Sequence, residues 1–210
     1  MTNEPIELET VPYNKTMYPG YLLRFGAFLL DLLIVAPFFI LVLYLNSLGK
    51  EMYYFTFIPS LAFSIWYHIY LLKRYGATPG KLLSGIRVVK TNGQYPDWKE
   101  AFLRFTLTLS VLIFGTIIKF VALSEADAGY YDGLGWRQQT EYLKTLSPGL
   151  FMINLWLSSI FFWGDLVVLF TNRKKRALHD LIAGTVVVMD LYMKRLRLNQ
   201  SALAATEECI

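Results

Sequence analysis

Cysteine and histidine are scarce in this 210-residue chain, which has one cysteine, Cys209, and two histidines, His68 and His179. A single cysteine excludes an intrachain disulfide and any multi-cysteine metal site. Two histidines far apart in sequence offer no zinc spacing. No serine sits in a nucleophile elbow. The loop Gly76-Ala77-Thr78-Pro79-Gly80-Lys81 is one residue short of a phosphate loop, and Leu82 stands where Ser or Thr would bind magnesium. Glu125, Asp127 and Asp132 do not form a calcium loop. These absences give an enzyme nothing to work with, so the chain is read as a non-enzyme with no cofactor and no metal. Met1 to Lys15 does not read as a signal peptide, because it is polar and carries Glu4, Glu7 and Glu9. The first apolar run is therefore expected to be retained.

Charge is sparse as well, at 17% of residues with a net +4, and the basic residues gather in short segments. That pattern gives no nucleic-acid surface. Hydrophobic residues make up 55% of the chain and aromatics 16%, and the mean hydropathy is +0.39. Four runs, near 21–45, 53–72, 101–123 and 149–170, approach the roughly 20 apolar residues that a bilayer crossing requires. Pro37 and Pro59 fall inside the first two, where neighbouring helices can re-satisfy a freed carbonyl. Lys73, Arg74, Lys81, Arg87, Lys90 and Lys99 follow the second run. Arg173, Lys174, Lys175, Arg176, Lys194, Arg195 and Arg197 follow the fourth. The opposite side holds Lys50, Arg137 and Lys144. The positive-inside rule then predicts both termini in the cytoplasm. The expected organisation is a polar tail over 1–17, a membrane domain over 18–190 with an outer insert at 124–148, and a cytoplasmic tail over 191–210. The location it implies is the cell membrane, of the bacterial inner-membrane type, with membrane lipid as a partner.

The chain also resembles itself. Gly80-Lys81-Leu82-Leu83-Ser84-Gly85-Ile86-Arg87-Val88-Val89 aligns without gaps with His179-Asp180-Leu181-Ile182-Ala183-Gly184-Thr185-Val186-Val187-Val188, and Leu23-Arg24-Phe25 matches Leu103-Arg104-Phe105. The pattern predicts an all-α membrane protein of four transmembrane helices arranged as two repeated hairpins. Each hairpin would be followed by a short cytoplasmic interfacial helix and a strand. The strands, 86–90 and 185–189, are expected to pair, with Asn92-Gly93 supplying a turn.

Charges inside such runs are costly. Asp31, ten residues into the first run at 1.5 Å each, would lie about 15 Å deep in a core of roughly 30 Å. An aspartate there costs about 2.5–3.5 kcal/mol unless a partner, water or a proton meets it. Asp31, Asp165 and His68 are therefore the candidates for proton or cation binding. Arg24 lies on the face of Asp31 but leans toward the cytoplasmic interface, where Asp180 is its expected partner. Lys81 is the third member of that charge network. Ser60, Ser64 and His68 share one helix face, as do Thr106 with Ser110 and Ser158 with Asp165. These faces would outline a polar interior if they met at Asp31. Interhelical hydrogen bonding is the alternative.

Three stretches carry a resemblance to a known family: Arg24 with Asp31; Gly76-Ala77-Thr78-Pro79-Gly80-Lys81 running into Ile86-Arg87-Val88-Val89; and Leu178-His179-Asp180-Leu181-Ile182-Ala183-Gly184-Thr185. Over about 18–189 the chain resembles the RDD family, named for one arginine and two aspartates. The resemblance maps those onto Arg24, Asp31 and Asp180, with Asp165 as a rival for the last. It implies membrane transport, since some members are regarded as cation/proton antiporters. The functional expectation is a secondary transporter that exchanges monovalent cations for protons as a homo-oligomer. The alternative is a non-transporting scaffold or assembly protein whose intramembrane charges are structural.

Overall fold

The computed structural model describes residues 17–172, 174–196 and 198. Most of the polar N-terminal tail, Arg173, Arg197 and the end of the C-terminal tail with Cys209 lie outside the described residues.

Four helices are long and apolar enough to cross a membrane: α1 (Tyr21–Ser47), α2 (Lys50–Tyr75), α4 (Trp98–Glu125) and α7 (Pro148–Thr171). Each outruns its sequence-predicted span by a few residues, because helix propensity continues past the apolar run into the polar flanks. Pro37 and Pro59 lie within unbroken helices. Large apolar side chains point outward on all four, among them Leu33, Ile40, Phe55, Ile117 and Phe162. A soluble protein could not tolerate that surface, but hydrocarbon can cover it.

At one end of the bundle the two halves form the same unit. In the first half, α3 (Pro79–Leu83) leads into β1 (Ile86–Lys90). In the second, α8 (Leu178–Ile182) leads into β2 (Thr185–Met189). Between helix and strand, Gly85 and Gly184 hold matching left-handed conformations, with φ of +66° and +63°. That region costs an L-residue with a Cβ roughly 1–2 kcal/mol, which accounts for a glycine at both repeat positions.

The strands pair antiparallel in the register Ile86↔Met189, Val88↔Val187 and Lys90↔Thr185. Exchanging each residue for its repeat partner returns the same register, so the ladder has a pseudo-two-fold axis between Val88 and Val187. Alternation gives the sheet two apolar faces. Ile86, Val88 and Val187 pack on Ala27, Ile69, Leu72, Ala101 and Phe105 of the long helices. Val89, Val186 and Val188 pack on Met17, Tyr18 and Met193, the last on a helical segment at 190–196. The Asn92-Gly93 turn folds the chain back after β1, with Lys90 N–H bonded to the Gln94 carbonyl, and so leads to α4 rather than joining the two strands.

The insert at 124–148 is helical where composition suggested only a polar connection. It forms α5 (Ala128–Asp132) and α6 (Trp136–Leu146). Leu143 and Tyr131 pack on Ala122 and Leu123 of α4. Lys50 at the start of α2 donates its backbone N–H to Asp132 and its ammonium to the Ala126 carbonyl.

Candidate functional site

The charged residues singled out above collect at the sheet end of the bundle in two neighbouring clusters. The first is centred on Asp31. Its Oδ1 accepts from the Tyr67 hydroxyl at 2.5 Å and the Gly80 amide at 2.7 Å, and its Oδ2 accepts from the Thr78 hydroxyl at 2.6 Å. Thr78 is the N-cap of α3 and Gly80 its second residue. The N-terminal amides of a helix have no intrahelical acceptor, and Pro79 has no N–H to offer. Asp31 on α1 thus caps α3 from a different helix. Tyr67 reaches it from a π-helical turn, Trp66–Tyr70, within α2. Such a turn adds a residue to the ladder and re-aims the side chains on it.

The second cluster is centred on Asp180, which is fully buried. Arg104 forms a close ion pair with its Oδ1, and Arg24 Nη1 lies 3.5 Å from its Oδ2. The Ala177 amide also donates to Oδ2, at 3.1 Å. Burial alone would raise the carboxyl pKa, but the guanidinium groups of Arg104 and Arg24 and the Ala177 amide outweigh it and hold the group well below the usual carboxylate range. Arg104 further donates from Nη1 to the Thr185 hydroxyl at 2.9 Å, and its Nη2 lies 3.1 Å from His179 Nε2. An arginine can only donate. The imidazole therefore accepts at Nε2, and its proton sits on Nδ1, 2.8 Å from Asp165 Oδ1. The His179 amide also points at that oxygen, at 3.3 Å. The chain Asp165–His179–Arg104–Asp180–Arg24 thereby joins α7, α8, α4 and α1.

The two halves use the same device with different residues. Gly80 and His179 are repeat equivalents, and each gives its amide to a carboxylate on a long helix, Asp31 on α1 and Asp165 on α7. Lys81 and Asp180 are equivalents of opposite charge. Lys81 makes no ion pair or hydrogen bond among the described residues. Burial, followed by Arg104, pushes its pKa down to about 8.

The polar faces of the long helices do not meet at Asp31. The hydroxyls of Ser60, Thr106, Ser110 and Ser158 bond to carbonyls of their own helices. His68 stacks on Phe105, with ring centroids 4.9 Å apart, and stands beside a small pocket between the two clusters. Sequence reasoning missed Arg104, His179, Tyr67 and Thr78. Arg104 had a signal, since it is the repeat equivalent of Arg24. Tyr67 had none, because its aim depends on the π-helical turn.

No curated protein and no solved structure matches the chain. The RDD family profile matches residues 18–184, which takes in both clusters and most of the sequence. This multi-pass membrane protein belongs to the RDD family.

Proposed function

We propose that this protein exchanges monovalent cations for protons across the membrane, with Asp31 as the exchanging carboxylate. One observation carries the reading. Of the buried and half-buried carboxylates at the sheet end, Asp180 is neutralised by two arginines and Asp165 is bonded to His179. Asp31 meets only neutral donors and has no ion-pair partner among the described residues. A carboxylate committed to a guanidinium has little use for a proton or a cation. One held only by neutral hydrogen-bond donors keeps lone pairs that either can use. An arriving ion competes with Tyr67, Thr78 and Gly80 for the same lone pairs. Two of those donors belong to the start of α3, so occupancy of Asp31 loosens α3 from α1 and offers a link between binding and movement.

The basic residues around α3 and α8 support a cytoplasmic position for this end, by the positive-inside rule. Four helices with outward apolar faces form a thin wall, which favours a homo-oligomer as the working unit. The test is proton flux in proteoliposomes carrying an internal pH dye, with Na⁺, Li⁺ or K⁺ added outside. Wild type should show a cation-dependent pH change that Asp31→Asn lacks at equal reconstitution. A wild type silent at every pH and with every cation would end the transport reading.

A second reading has its own support. Because the hydroxyls of Ser60, Thr106, Ser110 and Ser158 close on their own backbones and outline no polar path, the charged groups would serve to bind the bundle together, as in a membrane scaffold or assembly protein. In that case Asp31→Asn would lower stability or partner binding, with no flux to lose.

A further inference from the structure

Between the Asp31 and Asp180 clusters lies a pocket of about 110 Å³, formed by α2, α3, α4 and α8 and open to the surface past His68 and Thr108, both exposed. Its polar lining is Lys81, Arg104, His68, His179, Thr78 and Thr108, with no acidic residue among them. Three of these groups have nothing to bond to among the described residues: the Lys81 ammonium, the Thr108 hydroxyl and the His68 ring nitrogens. Thr108 contrasts with Thr106 and Ser110 on the same helix, whose hydroxyls bond to backbone carbonyls. Arg104, with a side chain only 7% exposed, uses Nη1 for Asp180 and Thr185 and one N–H of Nη2 for His179. The second Nη2 N–H remains.

We propose that this pocket binds a small tetrahedral oxyanion of the phosphate class, with Lys81 and Arg104 as charged donors and the Thr108 hydroxyl and the His68 imidazole beside them. A half-buried ammonium with no ion-pair partner in contact is costly. The nearby carboxylates of Asp31 and Asp180 are taken up by other donors, so an anion in the pocket supplies what Lys81 lacks. Charge-assisted bonds from lysine and arginine with hydroxyl support are the usual means of holding phosphate oxygens. The volume equals about four waters by their share of the liquid, which suits a free oxyanion, and the open mouth equally admits the phosphate of a lipid headgroup. The lowered pKa of Lys81 agrees with a site whose charge is completed on binding. This site is separate from the exchange assigned to Asp31, although Thr78 touches both.

Calorimetric titration of inorganic phosphate into full-length protein, purified in detergent in a gluconate buffer, tests the proposal. One phosphate should bind per chain, and Lys81→Gln should weaken it at least tenfold, while Lys144→Gln, on α6 at the opposite end, should leave it unchanged. If Lys81→Gln does not fold, Thr108→Val should still weaken binding. Native mass spectrometry separates the sources. A phospholipid that copurifies with wild type, is displaced by phosphate and is lost in Lys81→Gln supports the same site with a headgroup as its ligand. No binding heat and no such lipid in wild type, or binding unaffected by Lys81→Gln, would overturn the proposal.

Discussion

The amide of Gly80 lies 2.7 Å from a carboxylate oxygen of Asp31, and a Cβ on Gly80 would sit 2.5 Å from both the Asp31 backbone nitrogen and the Ala27 carbonyl oxygen. The contact needs a residue with no side chain, and the obstructing atoms are mostly backbone, which cannot move aside. Gly80→Ala should therefore push α3 off α1. The overpacking alone costs about 1–3 kcal/mol, and the loss of hydrogen bonds to Asp31 adds to it. Gly85→Ala, where a Cβ meets open space, should cost only the left-handed strain of about 1–2 kcal/mol. Thermal unfolding of both variants in detergent would rank them, and equal losses would contradict the close docking of α3.

Arg24 and Arg104 share one carboxylate, but not equally. Arg104 also holds Thr185 and His179, whereas Nε and Nη2 of Arg24 have no hydrogen-bond partner among the described residues. Arg104→Ala should destabilise more than Arg24→Ala. Asp180→Asn should exceed Arg24→Ala, in the range of about 3–5 kcal/mol, because it leaves two guanidinium groups unpaired in the interior. Chemical unfolding of the three variants gives the order directly.

Two groups set opposite ends of the pH profile. Asp180 has a depressed pKa in the folded chain. Its stabilising contribution is complete above the unfolded value of about 3.9 and is lost as pH falls toward the lower folded value. Lys81 has its pKa lowered from 10.5 to about 8, by burial first and Arg104 second. Between those values the unfolded chain binds more protons than the folded one, so stability should rise with pH from about 8 to 10.5. Lys81→Met should flatten that rise and leave the acid limb in place. Unfolding midpoints in phosphate-free buffer across both ranges would show it.

The two-stranded ladder closes the sheet end around Val88 and Val187, both buried and paired. Val88→Asp places an unpaired charge against Ala27, Leu72 and Phe105 and should prevent folding. Val88→Ile, if it costs anything, should cost less than about 1–3 kcal/mol. Size-exclusion profiles of the two variants provide the readout.

Much of this fold was legible in the chain. The four spans follow from apolar length, and the paired strands follow from the repeat that aligns Ile86–Val89 with Thr185–Val188. Asp31 stood out because a charge is expensive in such a run, and Arg24 and Asp180 because they match the residues that name the family. Their partners were harder to read. Asp31 meets the N-terminus of a five-residue helix that returns to α1, and no hydropathy pattern signals that return. The helical insert at 124–148 was hidden because its apolar positions, Tyr131 and Leu143, matter only once α4 is there to receive them. His179 carried no charge signal, and its bridging role depends on Asp165 arriving from a helix fourteen residues upstream.

The ladder also fixes an order of events during synthesis. β1 emerges with the first half of the chain, but the strand that covers its edge is nearly a hundred residues behind it. Until Val187 leaves the ribosome, the first hairpin is in the membrane with an open strand edge and with Arg24 and Arg104 lacking their common counter-ion. The latch and the charge that quiets both arginines arrive together, within the ten residues from Asp180 to Met189. A nascent chain stopped before that stretch would span the bilayer four times and still be an unlocked bundle, open to quality-control proteases. A complete chain would be secured in a single late step.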